Sequence, residues 1–181
     1  MKTTIDDIAL TFIPKVGPRT AAWLIECFGS AAEVFGAGMG ELIEKAGLNE
    51  RIAKAIARKE SHKKAEKEAV FCEEHGIIPL AATSQEYPEL LKECGDHPHV
   101  VYYKGDLQAL KRRAVSMVGT RSITQYGQRA CDLLAGELAA LLPDAVIVSG
   151  LSFGIDGACP RAAMAHGLAT VAVLPTPLRN V

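Results

Sequence analysis

Two short stretches hold the residue types and spacing that suit an anion. The first is Gly119, Thr120, Arg121 and Ser122, and the second is Ser149 and Gly150 with Gly154, Ile155 and Asp156. Each places glycine where the chain must bend sharply and then opens a helix, so unpaired helix-start amides face the bend. The elements that position them are legible on either side. Val115–Val118 reads as a strand, an apolar-striped run to Leu142 as a helix, and Val146–Val148 as a second strand. Such a βαβ unit brings both bends to one edge of a parallel sheet, where open α/β sheets bind their ligands. A phosphate-bearing partner is the first expectation.

The charge distribution sharpens it. The chain of 181 residues has a formal charge of −1, which gives no global basic field. Between His99 and Arg129, however, Lys104, Lys111, Arg112, Arg113, Arg121 and Arg129 face Asp106 alone, a local balance of +5. This basic run overlaps the first bend; a solvated face is the competing explanation. Hydrophobic content of 49% is ample for a packed core. The five cysteines are widely spaced and form no C-x-x-C pair, so they read as reduced core thiols of a cytoplasmic protein. Two acids precede any apolar run at the N-terminus, and nowhere do about 18 apolar residues follow one another. Neither secretion nor membrane spanning is expected.

Residues 1–70 read as an all-helical domain. Ile5, Ile8, Ala9 and Phe12 share one helix face, and Pro18 sits near the start of a second helix ending about Phe28. Ser30 and Glu33 have capping-box spacing. The turn Pro14–Thr20 resembles a helix-hairpin-helix motif, with Lys15 where the motif has glycine, and Leu42–Ala53 around Gly47 is a looser second copy. Packing is preferred to DNA contact for this domain. Asn49–His75 reads as a mixed-charge, solvated helical arm. The second domain, 71–181, begins with an edge strand at Ile77–Leu80, because Pro79 cannot donate to a ladder. It continues with a helix from Ser84, a strand at Val100–Tyr103, and the βαβ unit. The helix of that unit is striped by Tyr126, Ala130, Leu133, Leu134, Leu138 and Leu141, which are expected to lie on the sheet. A helix over Ala158–His166 and a buried strand over Thr170–Leu174 follow. The fold class is thus α/β, a helical domain followed by half of a doubly wound parallel sheet. Half a sheet suggests a truncated chain: a fragment, a frameshifted product or a diverged short form.

The paired bends, with Tyr126 and Gly127 after the first, resemble the signature of the DprA/Smf family, the DNA-processing proteins of bacterial natural transformation. The likeness continues upstream through Glu86–Leu91, Pro98–Tyr102, Lys104 and Gly105 to the helical hairpins. The resemblance implies a SAM-like helical domain, a Rossmann-like sheet domain and no catalytic role or cofactor. It further implies a cytoplasmic protein that binds and protects incoming single-stranded DNA, forms homodimers when full-length, and loads the RecA recombinase. Arg121 is then the phosphate-binding cation, with Gly119, Thr120 and Ser122 beside it and Ser149, Gly150 and Gly154 as the facing wall. The planar donor fork of arginine fits that role. For Phe153 and Tyr126, packing beneath the turn is preferred to base stacking, and for Asp156 a turn-shaping role is preferred to ligand contact. Two positions depart from the family pattern: Pro160 replaces its histidine, and Pro175 and Pro177 bracket Thr176 where it has a glycine-containing loop.

The rival class is a nucleotide-binding Rossmann-like enzyme, either phosphoribohydrolase-like or a carrier of a phosphorylated cofactor. Against it, the glycines do not form G-x-G-x-x-G, no G-x-x-x-x-G-K-[ST] loop exists, and no paired carboxylates or Ser/His/Asp set lies near the bends. A hairpin repair protein with lyase or nuclease chemistry lacks an obvious buried lysine or acid cluster.

Overall fold

Six helices precede any strand, in keeping with the helical periodicity of the first 70 residues. In a computed structural model that describes residues 2–178, they are α1 (Ile5–Thr11), α2 (Pro18–Phe28), α3 (Ala31–Gly36), α4 (Met39–Ala46), α5 (Glu50–Ala57) and α6 (His62–Glu74). Local chemistry sets their ends. Pro18 occupies the first position of α2, and the Ser30 hydroxyl accepts the Glu33 N–H at the start of α3. Thr4 and Asp7 close a reciprocal capping box on α1. Gly47, at φ +67, ends α4 and turns the chain into α5. Lys15 takes φ +69 in the first hairpin, so the left-handed conformation is kept where the motif's glycine stands, at a cost of about 1–2 kcal/mol.

The apolar faces of these helices meet in one core built on Leu10, Leu24, Val34, Leu42 and Ile56. The predicted solvated arm does not form. Lys59, at φ +52, breaks it into α5 and α6, and Ile52, Ala53, Ile56, Ala65 and Cys72 are buried. Charges alternate along the arm, but enough apolar residues recur at helical spacing to bury one face of each piece.

Two short strands complete this unit. β1 (Ile78–Ala81) and β2 (Val100–Tyr103) pair antiparallel, with Ile78 opposite Tyr103 and Ala81 opposite Val100. Between them only α7 (Glu89–Lys92) is helical, capped at Pro88. The helix expected from Ser84 forms only in this second half, and the Ser84 hydroxyl is buried without a partner among the described residues. The ribbon is tied to the N-terminus by the Thr3 hydroxyl, which donates to the Pro79 carbonyl and accepts the Ala81 N–H. By packing, the chain divides into units 1–105 and 106–181, so the ribbon falls with the helices.

The second unit holds a parallel sheet in the order β3 (Ala114–Ser116), β4 (Val146–Ser149), β5 (Ala169–Ala172). The crossovers are α8 (Gln125–Leu141) and α9 (Ile155–Ala165). Val115 and Ile147 pack with Leu138 and Ala139 of α8 and Ala163 of α9, so both helices cover the same face of the sheet. A short 3-10 helix over Leu107–Lys111 packs near β5. β5 is half-buried, not fully buried as expected, because no further strand pairs with its outer side among the described residues.

The predicted stripe of α8 is corrected. Leu138 packs toward the sheet as expected, but Tyr126, Leu133, Leu134 and Leu141 are exposed, whereas Cys131 and Ala135 are buried. Packing selects the small-residue stripe one position over, because it lets α8 approach α9 closely. A β-carbon on Gly127 would already stand 3.3 Å from Ile155. At the contact, the free thiols of Cys131 and Cys159 lie 3.1 Å apart, and burial, followed by Cys131 and Asp156, pushes the Cys159 thiol up to about 12. Cys72 is also a free core thiol, while Cys94 is exposed and Cys27 half-buried. Arg179, Asn180 and Val181, at the end of the predicted tail, lie outside the described residues.

Candidate nucleic-acid interface

Parallel pairing of β3 and β4 puts the bends that follow them at one edge of the sheet, and there they touch. The Ile155 N–H donates to the Thr120 carbonyl (3.1 Å), and the Gly119 N–H to the Asp156 carboxylate (3.0 Å). Gly154 sits at φ +78 against the backbone of Thr120 and Arg121, closer than any side chain there would permit. Gly119 is constrained by space alone, since a β-carbon would come within 2.7 Å of the Ile155 side chain. Proximity therefore requires glycine at both positions, and conformation requires it at Gly154 as well.

The residues named from sequence separate into three environments. Arg121 and Ser122 are exposed, and Arg121 has no ion pair among the described residues. Thr120 is exposed too, but its hydroxyl accepts the Ser122 N–H and shapes the bend. Asp156 fills the space between Gly119 and Gly150: one oxygen takes the Gly119 amide, and the other would be 2.9 Å from a β-carbon on Gly150. An internal carboxylate thus holds the inner crevice, where its charge opposes an anion. Ser149 is buried at 3% exposure, with its hydroxyl donating to the Asp156 carbonyl at 2.8 Å.

That last bond has a cause in the sequence. Pro160 lies inside α9 and has no N–H to offer the carbonyl four residues earlier, which belongs to Asp156. Ser149 supplies the missing donor. Ser149→Ala is expected to cost about 1–2 kcal/mol in urea unfolding. In Ser149→Ala/Pro160→Ala the helix regains its own N–H, so the same serine deletion should cost clearly less than in the parent background. Equal costs in both backgrounds would show that the hydroxyl does not substitute for the proline's missing donor.

Two features escaped the sequence reading. Phe153 and Tyr126, assigned to packing, are 85% and 82% exposed, Phe153 directly before Gly154 and Tyr126 in the first turn of α8. The guanidinium of Arg161 folds back one turn along α9, with its terminal nitrogens 3.4 and 3.5 Å from where a Gly157 β-carbon would stand. The i,i+4 spacing of Gly157 and Arg161 was the available signal for it. The basic run, by contrast, is divided by the sheet. Arg113 precedes β3 and its carbonyl accepts the Val146 N–H, so Lys111, Arg112 and Arg113 lie at the edge opposite the bends, roughly 15 Å away. Of the run's members within this unit, Arg121 lies on the first bend and Arg129 in the second turn of α8.

A family model described as DNA recombination-mediator protein A matches residues 79–181, more than half of the chain. The chain is 38% identical over 102 residues to DNA processing protein DprA of Bacillus subtilis, covering 56% of this chain and 34% of that protein. It is 39% identical over 123 residues to DNA processing protein DprA of Streptococcus pneumoniae, covering 61% and 43%. With Protein Smf of Escherichia coli it shares 35% identity over 107 residues, covering 59% and 28%. These matches thus span less than half of each relative's length. The X-ray structure of DprA from Streptococcus pneumoniae superposes with a TM-score of 0.74 at 24% identity, covering 99% of this chain and 60% of that one, and bears out the α/β fold. The family match runs through both contacting bends, the strands before them and the helices after them, and on that ground the chain belongs to the DNA recombination-mediator protein A family.

Proposed function

We propose that this chain takes part in DNA processing by binding single-stranded DNA at the rim of the paired bends. The observation that carries this reading is the exposed Arg121, without an acidic partner among the described residues, on a bend flanked by two exposed aromatic rings. A guanidinium can take a backbone phosphate while Phe153 and Tyr126 offer faces on which bases stack, at about 1–3 kcal/mol per base. Gly119, Gly150 and Gly154 allow the close approach, Thr120 and Ser122 shape the first bend, and Ser149 anchors the second to α9. Names of the relatives support a role on DNA.

The wider role proposed is protection of incoming strands and their transfer to RecA in the cytoplasm during natural transformation, with the protein acting as a homodimer. Residues 1–70 and 71–181 are proposed as its functional divisions, which the start of the family match at residue 79 supports. Binding, not turnover, is the proposed activity. Release of free base from nucleoside monophosphates by the purified chain would instead favour the phosphoribohydrolase-like alternative.

The test is fluorescence anisotropy with a labelled oligonucleotide, single-stranded and duplex, across a salt series. Single strands should bind in preference to duplex and weaken with salt. Arg121→Ala should lower affinity at least about tenfold, the scale of one lost charge-assisted contact, with the fold unchanged by circular dichroism. Full affinity in a folded Arg121→Ala variant would remove the bend from the binding surface.

A further inference from the structure

A separate cavity of about 260 Å³ lies within the unit 1–105, between α2 and the segments that flank the β1–β2 ribbon. One wall is apolar: Pro18, Ala22 and Ile25 recur at helical spacing along α2. The opposite side presents His97 and His99, with Glu26 at the margin.

The tautomers of both imidazoles are dictated by their internal partners. His99 Nε2 lies 3.0 Å from Asp7 Oδ1, and both side chains are more than nine-tenths buried. Asp7 Oδ2 already accepts the Thr4 N–H and hydroxyl, and the carboxyl is held below its ordinary value, so the carboxylate can only accept and Nε2 carries the proton. His97 Nδ1 lies 2.8 Å from the Cys94 carbonyl, which likewise can only accept. In neutral rings, Nδ1 of His99 and Nε2 of His97 are therefore acceptors. Together with the Glu26 carboxylate they make an acceptor-rich margin around an apolar wall. Acceptors beside an apolar wall match a ligand that brings an N–H donor on a flat apolar frame. A cavity of this size admits one ring system and little more.

We propose that this cavity binds a planar heterocycle bearing an exocyclic amino group, the chemistry shared by cytosine and adenine, with the ring against α2 and the amino group donating to His99 Nδ1. The ring of His99 is already held by Asp7, so binding needs no rotamer search by the recognising group. Free nucleosides and bases in a strand share this chemistry. The proposal does not depend on the Arg121 bend, which belongs to the other unit.

The test is titration of the full chain with adenosine, followed by long-range nitrogen NMR of the histidine rings. Adenosine should shift His99 Nδ1 saturably. Purine riboside, the same ring without the amino group, should bind at least about tenfold more weakly, the cost of a buried acceptor left unpaired. Ile25→Trp, which fills the cavity from α2, should abolish the shift while the Nε2 resonance reports an intact pair with Asp7. Cytidine and a deoxycytidine oligonucleotide separate the sources: a stronger response to the oligonucleotide assigns the site to a strand, and a stronger response to cytidine assigns it to the free nucleoside. Equal binding of purine riboside and adenosine, persistence of the shift in folded Ile25→Trp, or no response of His99 to any of these probes would overturn the proposal. Failure on free nucleosides and strands at His99 would leave the Arg121 surface standing, since that surface is read out by anisotropy of its own variant.

Discussion

Gly154→Ala should destabilise the chain by about 3 kcal/mol or more in urea unfolding, the largest loss expected from any single methyl group in the molecule. Two costs add. Gly154 sits at φ +78 and ψ −133, a region that residues with a β-carbon avoid. In addition, the new carbon would overlap the Thr120 carbonyl oxygen and stand 2.6 Å from the carbonyl carbon of Arg121. Backbone cannot move aside as a flexible side chain can, so relief requires the two bends to part. Gly47→Ala is the internal comparison. Gly47 has φ +67 but open space around it, so alanine there should cost only the conformational part, about 1–2 kcal/mol. Equal losses at the two glycines would mean that the bends are not in contact, and the placement of Arg121 would lose its basis.

Asp7→Ala is the second large effect, expected at about 2–4 kcal/mol. Its carboxylate serves the His99 ring, the Thr4 N–H and the Thr4 hydroxyl from a site only 5% exposed. Removal strands the buried His99 donor before β2 and takes away the capping box of α1 at once. The pH dependence follows from the same contacts. Burial is the largest influence and pushes this carboxyl up, but the His99 hydrogen bond, the two from Thr4 and the charge the imidazole carries in the acid range where the carboxyl titrates together outweigh it, leaving it below the ordinary aspartate value. A carboxyl whose folded value lies below its unfolded one stabilises fully above the unfolded value and loses that contribution as pH falls through the folded one. The stability difference between the parent chain and Asp7→Ala should therefore hold steady from neutral pH to about pH 5 and shrink below about pH 4. A difference that stays constant down to pH 2.5 would show that the carboxylate is not what holds the pair.

Some of this was legible in the residues alone because its causes are local. Pro18 at a helix start and Ser30 three residues before Glu33 each act on their nearest neighbours in the chain. Alternation between apolar runs and glycine turns is enough to indicate parallel strands joined by helices, since such strands cannot be connected tightly. The order of motifs from Glu86 to Asp156 carried the family. The contact between the bends also followed, because parallel neighbours must end at the same edge.

What tertiary structure decided has a common physical origin in partners distant along the chain. Periodicity marks two stripes on α8, one of large side chains and one of small, and sequence ranks the larger as more apolar. Close packing against α9 chose Cys131 and Ala135 instead and left Leu133, Leu134 and Leu141 exposed. A charge count cannot know that a strand separates Arg113 from Arg121, nor that Ser149 must turn inward because Pro160 lacks a donor. Asp7 and His99 are 92 positions apart, and no spacing rule connects them. Local preference determines what each segment becomes; only the competition of faces for one core determines which side chains are left to meet a ligand.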